Sequence, residues 1–429
     1  MYNITIIYLK GISNCYCYIV IMEILSKSSQ GKILKNDVLA LSQEAKAAKK
    51  KDNSVINATI GSLFDDNGVF YTFKSVDKLI KSLSDEDFYS YSPNNGNQEF
   101  HEAVTKWVFG NYYDSVTKNM YCKSIPTPGG TGAVSNGLFN ALDSGETLLL
   151  PNIYWGPYKN MAESNEFEIM EYPFIVNDKF NIEGFISCCD EIIAKQGKVV
   201  TILNDPCNNP TGYSLSLEEF DQIIDYMNSK DDAVFNMIYD IAYFDYYTLG
   251  KDAARKKFEL MTKAKENVVF NIAFSCSKTF SVYGLRLGSQ IIVSKNEKFV
   301  KDIYDSTCFL ARIRWSNVSK AGLSMMIKIN KDEQLKNNIC TEIDEAINVV
   351  MNRGKLFMKE AEECGLEIYP YSGGFFITVF SSDGLKFAEE LKKDGIYVLG
   401  FKKAIRIAIC SVPIFELKGL AKRIKDKLI

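Results

Sequence analysis

Lys278 is the residue of this chain best placed to do chemistry. It lies in Ser275-Cys276-Ser277-Lys278, directly after the run Val268-Val269-Phe270-Asn271-Ile272-Ala273-Phe274, which is apolar except for Asn271. Arg286 stands eight positions further on, between Gly284 and Gly288, whose freedom at φ lets a connecting loop curl. The pattern predicts a strand ending in a tight loop. A lysine held in an apolar crevice loses proton affinity and becomes an amine nucleophile. Alone, a lysine after a strand is more often a solvated surface group, but other stretches keep it company. Asn209 lies in Asn208-Asn209-Pro210-Thr211-Gly212, shortly after the run Lys198 to Leu203, and Asp240 ends the run Val234 to Tyr239. All three residues fall just beyond the carboxyl ends of predicted strands, where an open α/β sheet presents its ligand groups. Thr127-Pro128-Gly129-Gly130-Thr131-Gly132-Ala133 precedes a helix with Val134, Leu138 and Leu142 at helical spacing. Its glycines let backbone N–H groups approach an anion, and the helix start adds positive potential. The Gly-Lys-Ser/Thr ending of a P-loop is missing, which disfavours a nucleoside triphosphate. Arg406 is a charge inside the apolar strand Ile405-Arg406-Ile407-Ala408, and a buried arginine requires a partner.

These residues need a frame. Strand patterns alternate with helical ones from about residue 125 to 295, which predicts a largely parallel sheet covered on both faces. Earlier elements are a helix from Leu34 to about Lys51, a short strand Ile56 to Gly61, and helices Val76 to Leu83 and Gln98 to Phe109. Ser216 with Glu219 forms a capping box for a helix that buries Phe220, Ile223, Ile224 and Met227. A long helical region runs from about Trp315 to Cys364. The tail alternates: a strand at Gly374–Val379, a helix at Leu385–Leu391, strands at Ile396–Val398 and Ile405–Ala408, and a last helix. The expected organisation is a loose extension over 1–21, a large domain over 71–335, and a smaller α+β domain built from 22–70 and 336–429.

Composition narrows the chemistry. A chain of 429 residues, 46% hydrophobic and 24% charged, can bury two globular cores. Net charge is −3 with no basic stripe, which argues against nucleic acid as a partner. The eleven cysteines show no CxxC pairs and read as thiols of a reducing cytoplasm. With His101 as the single histidine, a histidine-ligated metal and a Ser-His-Asp triad are both disfavoured, and no metal is expected. Acid–base work then falls to lysine, tyrosine or a carboxylate. Residues 1–21 are apolar with Lys10 as their only charge, but Gly11, Ser13 and Asn14 interrupt them too often for a membrane span. They also lack the charged start and small-residue cleavage site of a signal peptide.

Taken together the motifs resemble fold-type-I pyridoxal-phosphate enzymes, specifically the class I aminotransferases of the aspartate and aromatic amino acid group. The resemblance runs from about Ile56 to Ala408 and keeps the family's motif order. It implies a mostly parallel seven-stranded-type sheet between helices, a smaller α+β domain and a pyridoxal 5'-phosphate cofactor. Under it, Lys278 holds the cofactor aldehyde and, once released, moves the substrate α-proton. Asp240, in Asp240-Ile241-Ala242-Tyr243, pairs with the ring nitrogen. Asn209 and Tyr243 bond the ring oxygen, and Trp155, in Tyr154-Trp155-Gly156, stacks on the ring. Gly130, Thr131, Ser275 and Arg286 hold the phosphate. Arg406 grips the substrate α-carboxylate with Gly61 beneath it, Asn209 and Trp155 flank the substrate, and Phe376 lines the side-chain pocket. Arg312 reads a distal carboxylate, a role that Arg314 could also fill. Tyr91 and Arg312 cross to the neighbour's site in a homodimer.

The reaction the resemblance implies is ping-pong transfer of an amino group from an aspartate-like or aromatic donor to 2-oxoglutarate, in the cytoplasm, with no membrane or nucleic acid involved. A β-lyase or decarboxylase of the same fold, or a non-enzymatic cofactor-binding regulator, are the alternatives. Asn204 and Asn208 stand where relatives often carry histidine, and Val318-Ser319 replace paired prolines after Asn317. These departures bear on donor preference rather than on the cofactor residues.

Overall fold

The computed structural model describes residues 4–10, 16–22, 24–33 and 38–428. Its centre is a seven-stranded sheet whose spatial order is Tyr121–Thr127, Gly288–Ser294, Val268–Ser275, Val234–Asp240, Lys198–Asn204, Thr147–Pro151, Glu168–Tyr172. Gly288–Ser294 runs antiparallel to both its neighbours, and the other neighbouring pairs are parallel. The central strands read as continuous apolar runs because helices cover both faces. Every residue of Val268–Ser275 is buried. Asn271, the polar break in that run, donates through Nδ2 to Asn236 Oδ1 at 2.7 Å and accepts from Gln290 Nε2 at 2.7 Å. A line of amides thus crosses three adjacent strands, with Asn271 and Gln290 buried and Asn236 partly so.

Local rules account for the connecting elements. The helix Leu217–Asn228 begins with the predicted capping box, Ser216 accepting from the Glu219 N–H and Glu219 from the Ser216 N–H. It buries Phe220, Ile223, Ile224, Tyr226 and Met227 on one stripe. The long helical region resolves into Glu297–Arg314, Lys320–Lys331 and Glu333–Cys364, so it starts earlier than expected. A three-stranded antiparallel sheet joins Phe376–Phe380, Ala404–Ala408 and Leu399–Phe401. Ile56–Asn57 pairs in parallel with Ile396–Tyr397, which carries the early chain to the C-terminal sheet. Thr378 Oγ1 donates to the Pro210 carbonyl at 2.7 Å and docks that sheet on the Asn209 loop.

Several expectations change. Ile4–Lys10 and Tyr16–Met22 pair as an antiparallel ribbon of their own where a loose extension was expected; their β-branched and aromatic residues suit strands. The first residues of the helix expected from Leu34 lie outside the described residues, and the helix is seen over Val38–Lys51. Gly288–Ser294, which was not singled out as a strand, is the antiparallel strand of the sheet and is buried along its whole length. Among the described residues, no helix is long and apolar enough to cross a membrane.

Candidate active site

The sheet brings its carboxyl edge to one place. Strands ending at Thr127, Pro151, Asn204, Asp240 and Ser275 deliver the chain to Gly129, Trp155, Asn209, Tyr243 and Lys278. Gly288 pairs with both Ser275 and Thr127, so the antiparallel strand starts at the same edge and brings Arg286 with it. Approach there is close: a Cβ on Gly288 would lie 2.4 Å from the Phe274 carbonyl oxygen and 2.5 Å from the Gly129 carbonyl carbon. The residues that line the resulting cavity include Gly130, Thr131, Trp155, Asn209, Asp240, Tyr243, Ser275, Lys278 and Arg286.

Lys278 sits on a short helical turn, Cys276–Thr279, instead of a loop, because Ser275 caps it by accepting from the Ser277 N–H. The turn is pinned by Tyr246, whose hydroxyl donates to the Lys278 carbonyl, and by Thr279, which donates to the buried Asp245 at 2.8 Å. The ammonium lies 5.4 Å from the centre of the Tyr243 ring. Burial lowers its pKa to about 8, with the Asp240 carboxylate pulling the other way. The residue keeps some surface open to the cavity, so the amine is desolvated but reachable.

Asp240 is buried at 5% exposure. Burial raises its pKa, while the Tyr158 hydroxyl, the Ala242 N–H and Lys278 act in the opposite direction. Asn204 donates through Nδ2 to the Asp240 carbonyl and accepts the Asn209 N–H on Oδ1 at 2.6 Å, so one amide sets the spacing of both site residues.

The Gly-Gly-Thr-Gly run forms the first turn of the helix Gly129–Ala141. Free N–H groups at a helix start favour an anion. Arg286 adds charge beside them, held by the Tyr283 carbonyl at 3.0 Å, the Ser277 hydroxyl at 3.2 Å and the Pro128 carbonyl at 3.3 Å. Arg286 itself takes the left-handed conformation, φ 51°, and Gly284 does not, so the curl expected of Gly284 is made by the arginine.

Arg406 is 4% exposed. Its Nη1 donates to Asn209 Oδ1 at 3.0 Å and its Nη2 to the Thr59 carbonyl at 2.7 Å, while Nε is buried with no partner among the described residues. The Phe376 ring lies 4.1 Å below the guanidinium, and a Cβ on Gly61 would meet that ring at 2.7 Å. Phe376 is 1% exposed and supports Arg406 from beneath. Burial lowers the Arg406 pKa to about 10, so it stays cationic at neutral pH and faces oxygens that carry no formal charge. Such a cation calls for an anion from outside the chain.

Tyr91 and Arg312 do not join this cavity. Tyr91 is 90% exposed, and Arg312 is exposed with Nη1 bonded to Ser316 Oγ at 2.8 Å. Their segments nevertheless touch: Ser92 donates to the Val318 carbonyl at 2.8 Å, and Asn317 donates to the Ser92 carbonyl. Arg314 instead reaches across to the helix Gly129–Ala141, bonding Asn136 at 3.1 Å and lying 4.3 Å over Phe139.

The cavity also holds residues that sequence reasoning missed. Tyr158, Ala242 and Ser277 line it, as does Asn204, noted above only as a departure. Ser277 could have been suspected from its place beside Lys278. Tyr158 carries no local signal, because its partner lies 82 residues away.

The site therefore offers an amine of lowered basicity, a buried carboxylate, an anion cup and a buried guanidinium. That set fits a phosphorylated aromatic aldehyde and an amino acid carboxylate. The family described as Aminotransferase class I and II matches residues 53–424. The chain is 26% identical to the aromatic-amino-acid aminotransferase of Pseudomonas aeruginosa over 213 residues, 49% of this chain and 51% of that enzyme. It is 30% identical to the mitochondrial aspartate aminotransferase of Saccharomyces cerevisiae over 281 residues, 60% of each. Among solved structures, an aminotransferase from Anaerococcus prevotii is similar with a TM-score of 0.89 at 30% identity, over 94% of this chain and 99% of that one. An aromatic-amino-acid aminotransferase from Burkholderia pseudomallei, covalently bound to pyridoxal phosphate, shares the fold with a TM-score of 0.77 at 19% identity, over 94% of this chain and 100% of that one. With the family matched over most of its length, on a sheet edge that gathers these groups, the chain belongs to the class I and II aminotransferases.

Proposed function

We propose that the chain binds pyridoxal 5'-phosphate and transfers the amino group of an aspartate-like or aromatic amino acid to 2-oxoglutarate, by a ping-pong cycle of two half-reactions. The observation that carries the reading is Arg406, a buried cation with an unpartnered Nε, joined through Asn209 to the cavity that holds Lys278 and Asp240. The cofactor of the Burkholderia relative is the group this cavity suits. When bound, the cofactor supplies an electron sink that acidifies the hydrogen on the substrate's α-carbon.

The chain's residues do the rest. The helix start at Gly130 and Thr131, with Ser275, Ser277 and Arg286, binds the phosphate by backbone and charge-assisted hydrogen bonds. Asp240 holds the proton on the ring nitrogen. Asn209 and Tyr243 donate to the ring oxygen, and Trp155 covers the ring face. Arg406 orients the substrate by its α-carboxylate. Lys278 would hold the cofactor aldehyde and, when free, would take the α-proton; a pKa of about 8 leaves a useful fraction of free amine near neutral pH.

The active form in this reading is a homodimer in the cytoplasm, with Tyr91 and Arg312 reaching the partner's site. Exposed Tyr89, Tyr91, Phe309 and Ile313 support an interface on that face. The nine described cysteines are free thiols, as a reducing compartment favours. The test is spectroscopic. Purified protein should carry a visible absorption band that shifts when amino donor is added, and Lys278→Ala should lose both covalent attachment and turnover. A colourless, fully active protein would overturn the reading, and a donor panel with 2-oxoglutarate would fix the preference.

A further inference from the structure

Tyr158 opens a question that the family's roles leave unassigned. It is the second residue of the helix Pro157–Ser164, which starts two residues after Trp155, so one turn delivers both rings. The two rings meet edge to face at 5.3 Å, and Tyr158 is 1% exposed. Its hydroxyl donates to Asp240 Oδ2 at 2.5 Å. The Ala242 N–H donates to the other oxygen, Oδ1, at 3.0 Å. Each oxygen of the carboxylate is therefore gripped by a neutral donor. The chain's single histidine, His101, is bonded to Ser124 elsewhere and lends Asp240 no cation.

We infer that Tyr158 is a positioning residue of the transamination: its hydroxyl keeps Asp240 ionised and turned toward the ring nitrogen of the bound cofactor, without adding a positive charge of its own. This rests on the pyridoxal-phosphate reading above. Burial alone drives Asp240 toward its neutral form, and a protonated carboxyl no longer stabilises a charge on the ring nitrogen. Among the groups that oppose burial, the Tyr158 bond ranks first. Tyr158 is itself held neutral, because burial and the adjacent carboxylate both push its pKa far up, so it remains a donor over the working range.

The test uses apoprotein and two ligands: pyridoxal 5'-phosphate and its 1-deaza analogue, which carries carbon in place of the ring nitrogen. Tyr158→Phe removes one oxygen and keeps the ring, and its melting temperature checks that it folds. It should weaken pyridoxal phosphate binding about tenfold, the scale of a hydrogen bond to a charged group, and leave the analogue nearly unchanged. Tyr158→His, which restores a donor, should recover the preference for the nitrogen-bearing ligand. In an Asp240→Asn background, Tyr158→Phe should cost nothing further, since the two residues act as one unit. Equal weakening of both ligands, no weakening of either, or a full loss on top of Asp240→Asn would overturn the proposal. Failure of the wild-type protein to bind pyridoxal phosphate would overturn the cofactor reading itself, a result visible before any variant is made.

Discussion

Replacing Arg406 by lysine tests the substrate clamp most directly. The guanidinium is fixed by Asn209 Oδ1 at 3.0 Å and the Thr59 carbonyl at 2.7 Å, and it rests on Phe376. A planar fork held this way can offer two parallel bonds to a carboxylate; an ammonium offers one and cannot keep both protein contacts. One lost bond to a charged group is worth about 1.5–3 kcal/mol, and an oxygen left unpaired adds about 1 kcal/mol. A total of about 2.5–4 kcal/mol corresponds to a loss of roughly 60- to 700-fold in kcat/KM. The assay is initial rate against donor concentration, with acidic and aromatic donors side by side and 2-oxoglutarate fixed. Because every amino acid carries the α-carboxylate, all donors should fall together. The cofactor's visible band should persist, since Arg406 meets the cavity through Asn209. A loss confined to acidic donors, or one below about threefold for all of them, would show that Arg406 does not read the α-carboxylate.

Other outcomes follow from the same geometry. If the proposed homodimer carries Arg312 into the partner's site, Arg312→Lys should sharply weaken use of aspartate and glutamate and spare aromatic donors; equal losses in a donor panel would make Arg312 structural. Lys278→Met should stabilise the apoprotein near pH 7. The folded-state pKa of Lys278 is depressed from 10.5 to about 8, so its buried charge costs stability below pH 8 and the cost fades up to pH 10.5. That fall bounds the gain at roughly 3 kcal/mol, and melting curves across this range should show the variant's advantage shrinking as pH rises. Gly288→Ala should destabilise by about 1–3 kcal/mol or more, because the three nearest atoms its Cβ would meet all belong to backbone, and it should weaken cofactor binding by prising Gly129 from Phe274; denaturant titration and ligand titration read the two effects.

The strands that lead to Asn209, Asp240 and Lys278 could be read from the chain because they rest on local signals; Tyr121–Thr127 and Glu168–Tyr172 were not singled out. Apolar runs of strand length, each followed by Asn209, Asp240 or Lys278, were visible without knowing which strands pair. The capping box at Ser216 was equally local. What could not be read depends on distant partners. Gly288–Ser294 was hidden because it opens on glycine and carries Ser289 and Gln290, which leaves only Ile291, Ile292 and Val293 as an apolar run. The positive φ at Arg286 follows from the anchoring of its guanidinium by Pro128, Ser277 and Tyr283, and one of those lies 158 residues away. Phe376 was legible as an aromatic near the site. Its place beneath Arg406 depends on antiparallel pairing of Phe376–Phe380 with Ala404–Ala408, which sequence periodicity does not specify.

The amides of Asn236, Asn271 and Gln290 bear on how the chain avoids misfolding. A sheet buried on both faces presents similar apolar side chains at every level, so sliding one strand by two residues keeps every side chain on its own face. Hydrophobicity alone barely penalises that slip. It would, however, carry each amide about 7 Å from its partner and strand it in the core. Every orphaned group then costs about 1–3 kcal/mol. The same slip would displace Lys278 from Asp240 by about 7 Å, since the two sit at the ends of strands that these amides fasten together. The three amides thus act as a vernier: they select the one alignment in which the amine and the carboxylate face a common cavity.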